Sequence, residues 1–511
     1  MAIINGRGRV GIRRSSVIVT PSIQIVSNGL ILNYDAGNVA SYPGTGAIWY
    51  DISGNSRNGT FSGPNGGSAS YNIGGYINFD GVDDFIKQSG DAILATDNFT
   101  IEVWCRPTST IAIASESTSG LGALSGQKFI VGPTLPPNYA TASGAGLSIG
   151  TNGLSVVEHS DTYIPSLLSY NTTISSFTQI VITYTNKQPR AYINGNLVRT
   201  GLTSLKGSVY LMLGSIGGMY YGYFAGGLAN IKYYNRALSA SEVIQNLNAI
   251  GPRFFPQVSD SDAQTFVYTA GLTSSTQANA INTLVTSMKA AGIWTKMKAL
   301  YPFVGGSATS HKWNLKDPRD LDAAFRLQFY GGVNHNGNGI QLSGTNGGAF
   351  TYFNPYLRQA KSNLHLSLYT RVRPTRNIYA NDINLNTGYS PAGWVALRAT
   401  SNSQGIEYFG TSDSATGAVG IASTAVGFSI GSRTSSTSIK YYKNANSAAG
   451  SGTNNDDFRN SELTLNGNPG GNLYSAGEYA FASMGDGLTD AEAANYYTIV
   501  QAFQTSLGRQ V

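Results

Sequence analysis

Four short stretches from the first half of the chain recur in the second half, in the same order. "YINFDGVDDFI" (Tyr76–Ile86) matches "GIQLSGTNGGAF" (Gly339–Phe350), and "FTIEVWCRP" (Phe99–Pro107) matches "LHLSLYTRVRP" (Leu364–Pro374). "PRAYINGN" (Pro189–Asn196) matches "IKYYKNAN" (Ile439–Asn446), and Leu238-Ser239-x-x-Glu242 matches Leu488-Thr489-x-x-Glu492. Tyr369 lies 265 residues after Trp104, and Glu492 lies 250 after Glu242. Ordered matches at nearly one offset require a duplicated fold. Whatever the first half folds into, the second must repeat.

The repeated unit reads as short strands. Phe99, Ile101, Val103 and Cys105 alternate with Thr100, Glu102 and Trp104, the period of a strand with two distinct faces. Asp80-Gly81 and Asn194-Gly195 are turn dipeptides, and a further turn spans Asn186–Pro189. Ser239 and Glu242 form a capping box that opens a short helix. Between the copies the period changes: Ala263, Phe266, Val267 and Ala270, then Ile281, Leu284, Val285 and Met288, stand at helical spacing. Ser274 caps the second of these helices and Gly292 stops it. Four segments are therefore expected: an extended basic arm (1–28), a first strand-rich domain (29–250), a helical connector (251–292) and a diverged second copy of that domain (293–511).

At 511 residues the chain exceeds one hydrophobic core. Its 62 glycines supply turns, and 41% hydrophobic residues exclude disorder. The net charge of +6 is concentrated early: Arg7, Arg9, Arg13 and Arg14 all precede the first acidic residue, Asp35. A nucleic-acid-binding face would mix basic and aromatic residues through a folded region, so the arginines read as a docking arm for an acidic protein surface, with nucleic acid as the second choice. Gly6-x-Gly8-x-x-Gly11 follows no strand and opens no helix, which excludes a dinucleotide loop. Cys105 is the only cysteine, so no intramolecular disulfide forms. The N-terminal segment lacks a continuous apolar signal core, and no stretch has the length of a membrane span. Folding in a reducing cytoplasm, with no membrane partner, is the expectation.

The motif order "GLILNYDAGN … WYDISGNSRNGTF … GGYINFDGVDDFI … FTIEVWCRP … YINGNLV … FAGGLANIKYYNRALSASEV" resembles the laminin-G-like branch of the concanavalin A-like lectin/glucanase superfamily, over about residues 29–250. The second half is similar but eroded. Its "KALYPFVGG", "WNLKDPRDLDAAFRL" and "FQTSLGRQV" resemble virion structural proteins of tailed bacteriophages. The resemblance implies a mostly β chain of two tandem concanavalin A-like jelly-roll β-sandwiches joined by a short α-helical connector. It also implies adhesion to glycans or proteins, although fold alone does not set function.

Glucanases of the superfamily carry two glutamates close together on one strand, because glycoside hydrolysis needs a carboxyl on each side of the bond. Here Glu102 stands alone, no E-x-D-x-x-E occurs, and the matching position in the second half is Ser367. No catalytic residue is assigned. Asp80, Asp83 and Asp84 offer the hard oxygens calcium prefers, the one cofactor the sequence could hold; the second copy has Ser343 and Asn346 there. A solvated turn explains the same three carboxylates. Tyr220, Tyr221 and Tyr223 are the glycan-binding candidates, since exposed rings stack on sugar faces, with alternate packing in a strand as the plainer account. The four histidines (His159, His311, His335, His365) show no metal-ligand spacing.

The expected function is a non-enzymatic phage virion protein, of the decoration, head-fibre or tail-fibre type. Its arm would dock on other virion proteins, and its jelly rolls would face host or environmental glycans. Homo-oligomerisation, as a trimer for instance, fits that setting, and nucleic acid does not. The alternative is a cellular carbohydrate-binding module or adhesin.

Overall fold

A computed structural model describes residues 23–62, 69–88, 92–219, 221–343, 346–360, 362–376, 383–384, 396–398, 406–410, 418–422, 426–435, 437–444, 446–450, 460–466 and 475–511. Labels are given to the strands of the two helix-facing sheets. In the first half these are β1 (Leu30–Asp35), β2 (Ser70–Asn72), β3 (Tyr76–Asp80), β4 (Phe99–Pro107), β5 (Thr178–Thr185), β6 (Gln188–Ile193), β7 (Asn196–Thr200) and β8 (Ala225–Tyr234). They hydrogen-bond in the order β7-β6-β5-β4-β8-β3-β2, with β1 also on β8. Two-residue turns close the β5–β6 and β6–β7 hairpins: Asn186 and Lys187, then Asn194 and Gly195, all take positive φ, as right-twisted hairpins favour. A second sheet, built from strands such as Phe85–Gln88, Phe129–Val131, Ala142–Gly150 and Gly153–His159, packs against it.

In the second half the helix-facing strands are β9 (Met297–Tyr301), β10 (Val333–Asn336), β11 (Gly339–Leu342), β12 (Leu364–Arg376), β13 (Gly427–Ser435), β14 (Ser438–Lys443), β15 (Asn446–Gly450) and β16 (Ser475–Gly485). Their order is β15-β14-β13-β12-β16-β11-β10, with β9 on β16. Strand for strand, this is the arrangement of the first half. Phe99, Ile101, Val103 and Cys105 of β4 point into the inter-sheet core, as do Leu364, Leu366 and Leu368 of β12. Trp104 and Tyr369 lie on the opposite face in both copies.

That opposite face is not solvent. Helices α1 (Ala240–Ile250), α2 (Ser261–Thr269), α3 (Ser275–Ala290) and α4 (Asp490–Ser506) cover it. One continuous cluster joins Trp104 and Ala229 of the first sheet, α1–α3, α4, and Tyr369, Phe428 and Phe481 of the second. Trp104 stacks on Phe254, with centroids 5.2 Å apart. Instead of a tether, the expected connector is a helical layer between two sandwiches. Helices α1 and α4 each start at a complete capping box, Ser239/Glu242 and Thr489/Glu492. Each box glutamate also pairs with a cation, Arg236 or Lys296.

Asp80-Gly81 turns the chain as expected, and the structure adds where it leads: β3 belongs to the helix-facing sheet, whereas Phe85–Gln88 belongs to the other, so the turn is a crossover between layers. The same holds for β11 and Gly348–Phe350 in the second copy. A turn dipeptide specifies a reversal, not which sheet receives the next strand. Residues 23–28, assigned to the arm, pack on their own domain. Val26 is 6% exposed, its N–H donates to Asn246 Oδ1 (2.8 Å), and its carbonyl accepts from the Tyr234 hydroxyl (3.1 Å).

Candidate functional site

The crossover after β3 is held by its own carboxylates. Asp80 Oδ1 accepts the N–H groups of Val82 (2.7 Å) and Asp83 (3.3 Å), while Asp84 Oδ2 accepts that of Asp80 (2.9 Å). Partial burial opposes ionisation of Asp80, but these backbone donors outweigh it and hold the carboxyl below its usual range. Gly81 takes φ +81°, and a Cβ there would lie 2.6 Å from the Ala225 Cβ, so only glycine fits. Lys128 Nζ donates to the Gly81 carbonyl at 3.1 Å. The three carboxylates offer ligand atoms within 4.8 Å of one another. Calcium takes about six to eight oxygens. Here backbone N–H groups and Lys128 already engage two carboxylates and the nearby carbonyl, so the cluster is explained without a cation.

Tyrosines from the Met219–Phe224 run reach the same rim. Phe224 is fully buried in the core, whereas Tyr221 and Tyr223 are half-buried; Tyr220 lies outside the described residues. Tyr223 lies flat over Gly218, where any Cβ would come within 2.2 Å of the ring. Phe85, directly after Asp84, faces Tyr223 with centroids 6.4 Å apart. Tyr221 packs edge-on against His159 at 5.5 Å. Acidic turn, lysine and tyrosines thus form one rim of the first sandwich, which three separate sequence motifs did not reveal. The docking arginines Arg7, Arg9, Arg13 and Arg14 lie outside the described residues.

Two glutamates of the first sandwich are sealed inside it. Glu102 is fully buried under α1, paired with Lys232 at 3.2 Å. It also accepts from Gln179 Nε2 (3.1 Å) and Asn246 Nδ2 (2.5 Å). Glu158 is fully buried in a ring of hydroxyls: Ser204 (2.6 Å), Ser143 (2.8 Å), Tyr163 (3.2 Å) and Tyr184 (3.4 Å). Burial raises its pKa above the usual carboxylate value despite those donors. Cys105 sits in the inter-sheet core, where burial pushes its thiol up.

The fold unites two histidines that sequence spacing kept apart. His311 and His335 meet Nδ1 to Nδ1 at 3.0 Å. Gly306 N–H donates to His311 Nε2 (3.2 Å), so the His311 proton sits on Nδ1 and is donated to His335. Burial, and then the neighbouring His335 and Arg509, lower the His311 pKa to about 3. A ligating imidazole usually donates through its other nitrogen; here that nitrogen accepts. The pair is a hydrogen bond, not a metal site.

A family model of the concanavalin A-like lectin/glucanases superfamily matches residues 80–244, from the acidic turn into α1. Among solved structures, domain 4 of a GH43 extracellular arabinanase from Geobacillus stearothermophilus, in complex with arabinotriose, is 18% identical. That likeness covers 43% of this chain and 98% of the arabinanase domain, with a TM-score of 0.30. Trypanosoma rangeli sialidase in complex with sialic acid is 14% identical over 44% of this chain and 33% of the sialidase (TM-score 0.29). The botulinum neurotoxin type G receptor binding domain is 17% identical over 43% of this chain and 51% of that domain (TM-score 0.29). The chain therefore spans about a third of the sialidase and half of the neurotoxin domain. No curated protein matches the chain. Its fold is mostly β and concanavalin A-like.

Proposed function

We propose that this chain is a structural protein of a tailed-bacteriophage virion, of the decoration or fibre type, whose first sandwich adheres to glycans or another host-surface feature. The observation that carries the adhesive part is the rim. Two half-exposed tyrosines stand beside a backbone-locked acidic turn, on a sandwich matched by a lectin-type family model. Rigid aromatic faces next to fixed polar groups suit saccharides, whose rings offer C–H faces and hydroxyl edges.

The virion setting is supported by the basic segment at residues 7–14, by a chain that needs no disulfide, and by the second half's resemblance to phage virion proteins. The reading is non-enzymatic, because Glu102 and Glu158 are both fully buried and committed to internal hydrogen bonds. Calcium is not required, and the working form is a homo-oligomer. The lectin-type match also suits a cellular carbohydrate-binding module or adhesin, since it does not depend on a particle.

Mass spectrometry and immunogold imaging of purified particles from the phage encoding this chain provide the test. We expect the chain on particles, and expect deletion of residues 2–22 to remove it without changing its melting temperature. The deletion stops short of Ile25 and Val26, which belong to the folded domain. A chain found only on bacterial surfaces would favour the adhesin. Release of reducing ends from bacterial polysaccharide, abolished by Glu102→Gln without unfolding, would refute the non-enzymatic part.

A further inference from the structure

Where the first sandwich meets α2, α3 and the second half, a cleft of about 210 Å³ opens. Its walls come from residues 170–178 and 193–198 of the sandwich, the 269–277 turn and the 305–313 loop. We infer that this cleft binds one ring of a neutral saccharide, a site separate from the tyrosine rim. The inference rests on the adhesive reading above and assigns it a ligand class.

Three observations carry it. No lining residue bears a charge at neutral pH. The charges behind Tyr170 pair among themselves: its hydroxyl donates to Asp320, which also pairs with Lys312 (2.9 Å) and Arg326 (3.2 Å). An anionic or cationic ligand would lose hydration here and gain no counter-charge. Next, the hydroxyls of Thr172, Thr173, Ser175, Thr273 and Thr309 make no hydrogen bond among the described residues. An apolar ligand would cover these hydroxyls without satisfying them. What remains is an uncharged ligand rich in donors and acceptors, with an apolar face for the half-buried Tyr170 ring, while Trp313 closes the back of the cleft. Trp313 is 5% exposed and its indole N–H has no partner.

The third observation is that the walls are fixed to each other. Asn194 Nδ2 donates to the Tyr268 carbonyl (2.9 Å) and Asn196 Nδ2 to Thr269 Oγ1 (2.7 Å), tying the β6–β7 hairpin to the end of α2. The shared helical core holds the second half against both. A preformed cleft spares the ligand the cost of ordering it. At roughly 30 Å³ per liquid water, the space equals about seven waters, the room of a single sugar ring.

The test is binding of the full chain to immobilised neutral oligosaccharides of glucose, galactose, N-acetylglucosamine and rhamnose, each paired with a sialylated or uronate-bearing form. Thr173→Trp fills the cleft and Thr273→Asp charges it; both positions are exposed, so folding should persist and melting checks it. We expect a neutral sugar to bind, with at least about tenfold weakening in both variants and little change in Ile73→Ala, an exposed position outside both cleft and rim. Binding lost in Tyr223→Ala but kept in both cleft variants would overturn the cleft and leave adhesion standing. Preference for the charged forms would also overturn it. No binding to any sugar would remove the adhesive reading and the cleft together.

Discussion

Replacing Lys232 with methionine should destabilise the chain by about 3–5 kcal/mol, the usual cost of leaving one member of a buried ion pair alone. The structure puts the value near the lower end. Glu102 loses the Lys232 ammonium at 3.2 Å but keeps Asn246 at 2.5 Å and Gln179 at 3.1 Å, and a hydrogen bond to a charged group contributes about 1.5–3 kcal/mol. Against a typical net stability of about 5–15 kcal/mol, the loss is large. Glu102→Gln should also destabilise, for a geometric reason. Asn246 Nδ2 points at Glu102 Oε2 while its Oδ1 accepts the Val26 N–H at 2.8 Å. A glutamine amide would oppose donor to donor, and flipping Asn246 would strand Val26. The double variant Glu102→Leu/Lys232→Met removes both charges and should fall within about 1 kcal/mol of the parent. Guanidinium unfolding followed by tryptophan fluorescence reads all three as midpoint shifts at constant slope. A Lys232→Met loss below about 1 kcal/mol, or a double variant as unstable as the sum of the singles, would refute the buried-pair account.

Calorimetry should show both sandwiches melting in one transition, and Trp104→Ala, which cuts the shared core, should lower it by about 3–5 kcal/mol; two resolved transitions would refute the shared layer. Glu158 has a folded pKa raised above the ordinary 4.5, so its stabilisation is full below that pH and is lost as pH rises through the folded value. Glu158→Gln should therefore flatten the fall in stability over that window, and an unchanged slope in urea titrations would count against the hydroxyl ring as described. His311 titrates the other way: with its pKa lowered from 6.5 to about 3, stability present above 6.5 should be lost on acidification, and His311→Gln should remove part of that loss.

Elements set by local pattern were readable from sequence. The alternation at Phe99–Cys105 fixed which residues enter the inter-sheet core, because a strand has a period of two. Both capping boxes formed where Ser239/Glu242 and Thr489/Glu492 stand. What the pattern did not disclose is what covers the second face. Thr100 and Glu102 read as the second face of their strand, yet both are buried: Thr100 Oγ1 bonds Arg236 and Leu238, and the partner of Glu102 lies 130 residues away at Lys232. The rim was hidden for the same reason. Asp84, Lys128 and Tyr223 come from separate segments that only the closed sandwich assembles. His311 and His335 meet because loop 303–311 folds back on β10, a tertiary event with no local signature.

The two copies have diverged unevenly, and the packing says why. The second keeps an outward aromatic at Tyr369 and the helix-opening box at Thr489/Glu492, because both belong to the layer that joins the sandwiches. It loses the rim carboxylates. At the matching crossover, Asn346 uses its side-chain oxygen to accept the Gly332 N–H at 3.0 Å, so a neutral residue ties that segment to the loop before β10. At the first crossover Asp80 and Asp84 accept backbone N–H groups directly, and those bonds hold the Asp80 carboxyl below its usual range. Lys128, donating to the Gly81 carbonyl, brings a compensating charge to the rim without burying it. The acidic turn sits on the first copy, beside Tyr223 and Phe85. The helical layer, in contrast, draws on both copies alike, so the aromatic face that joins the sandwiches is kept where the acidic rim is not.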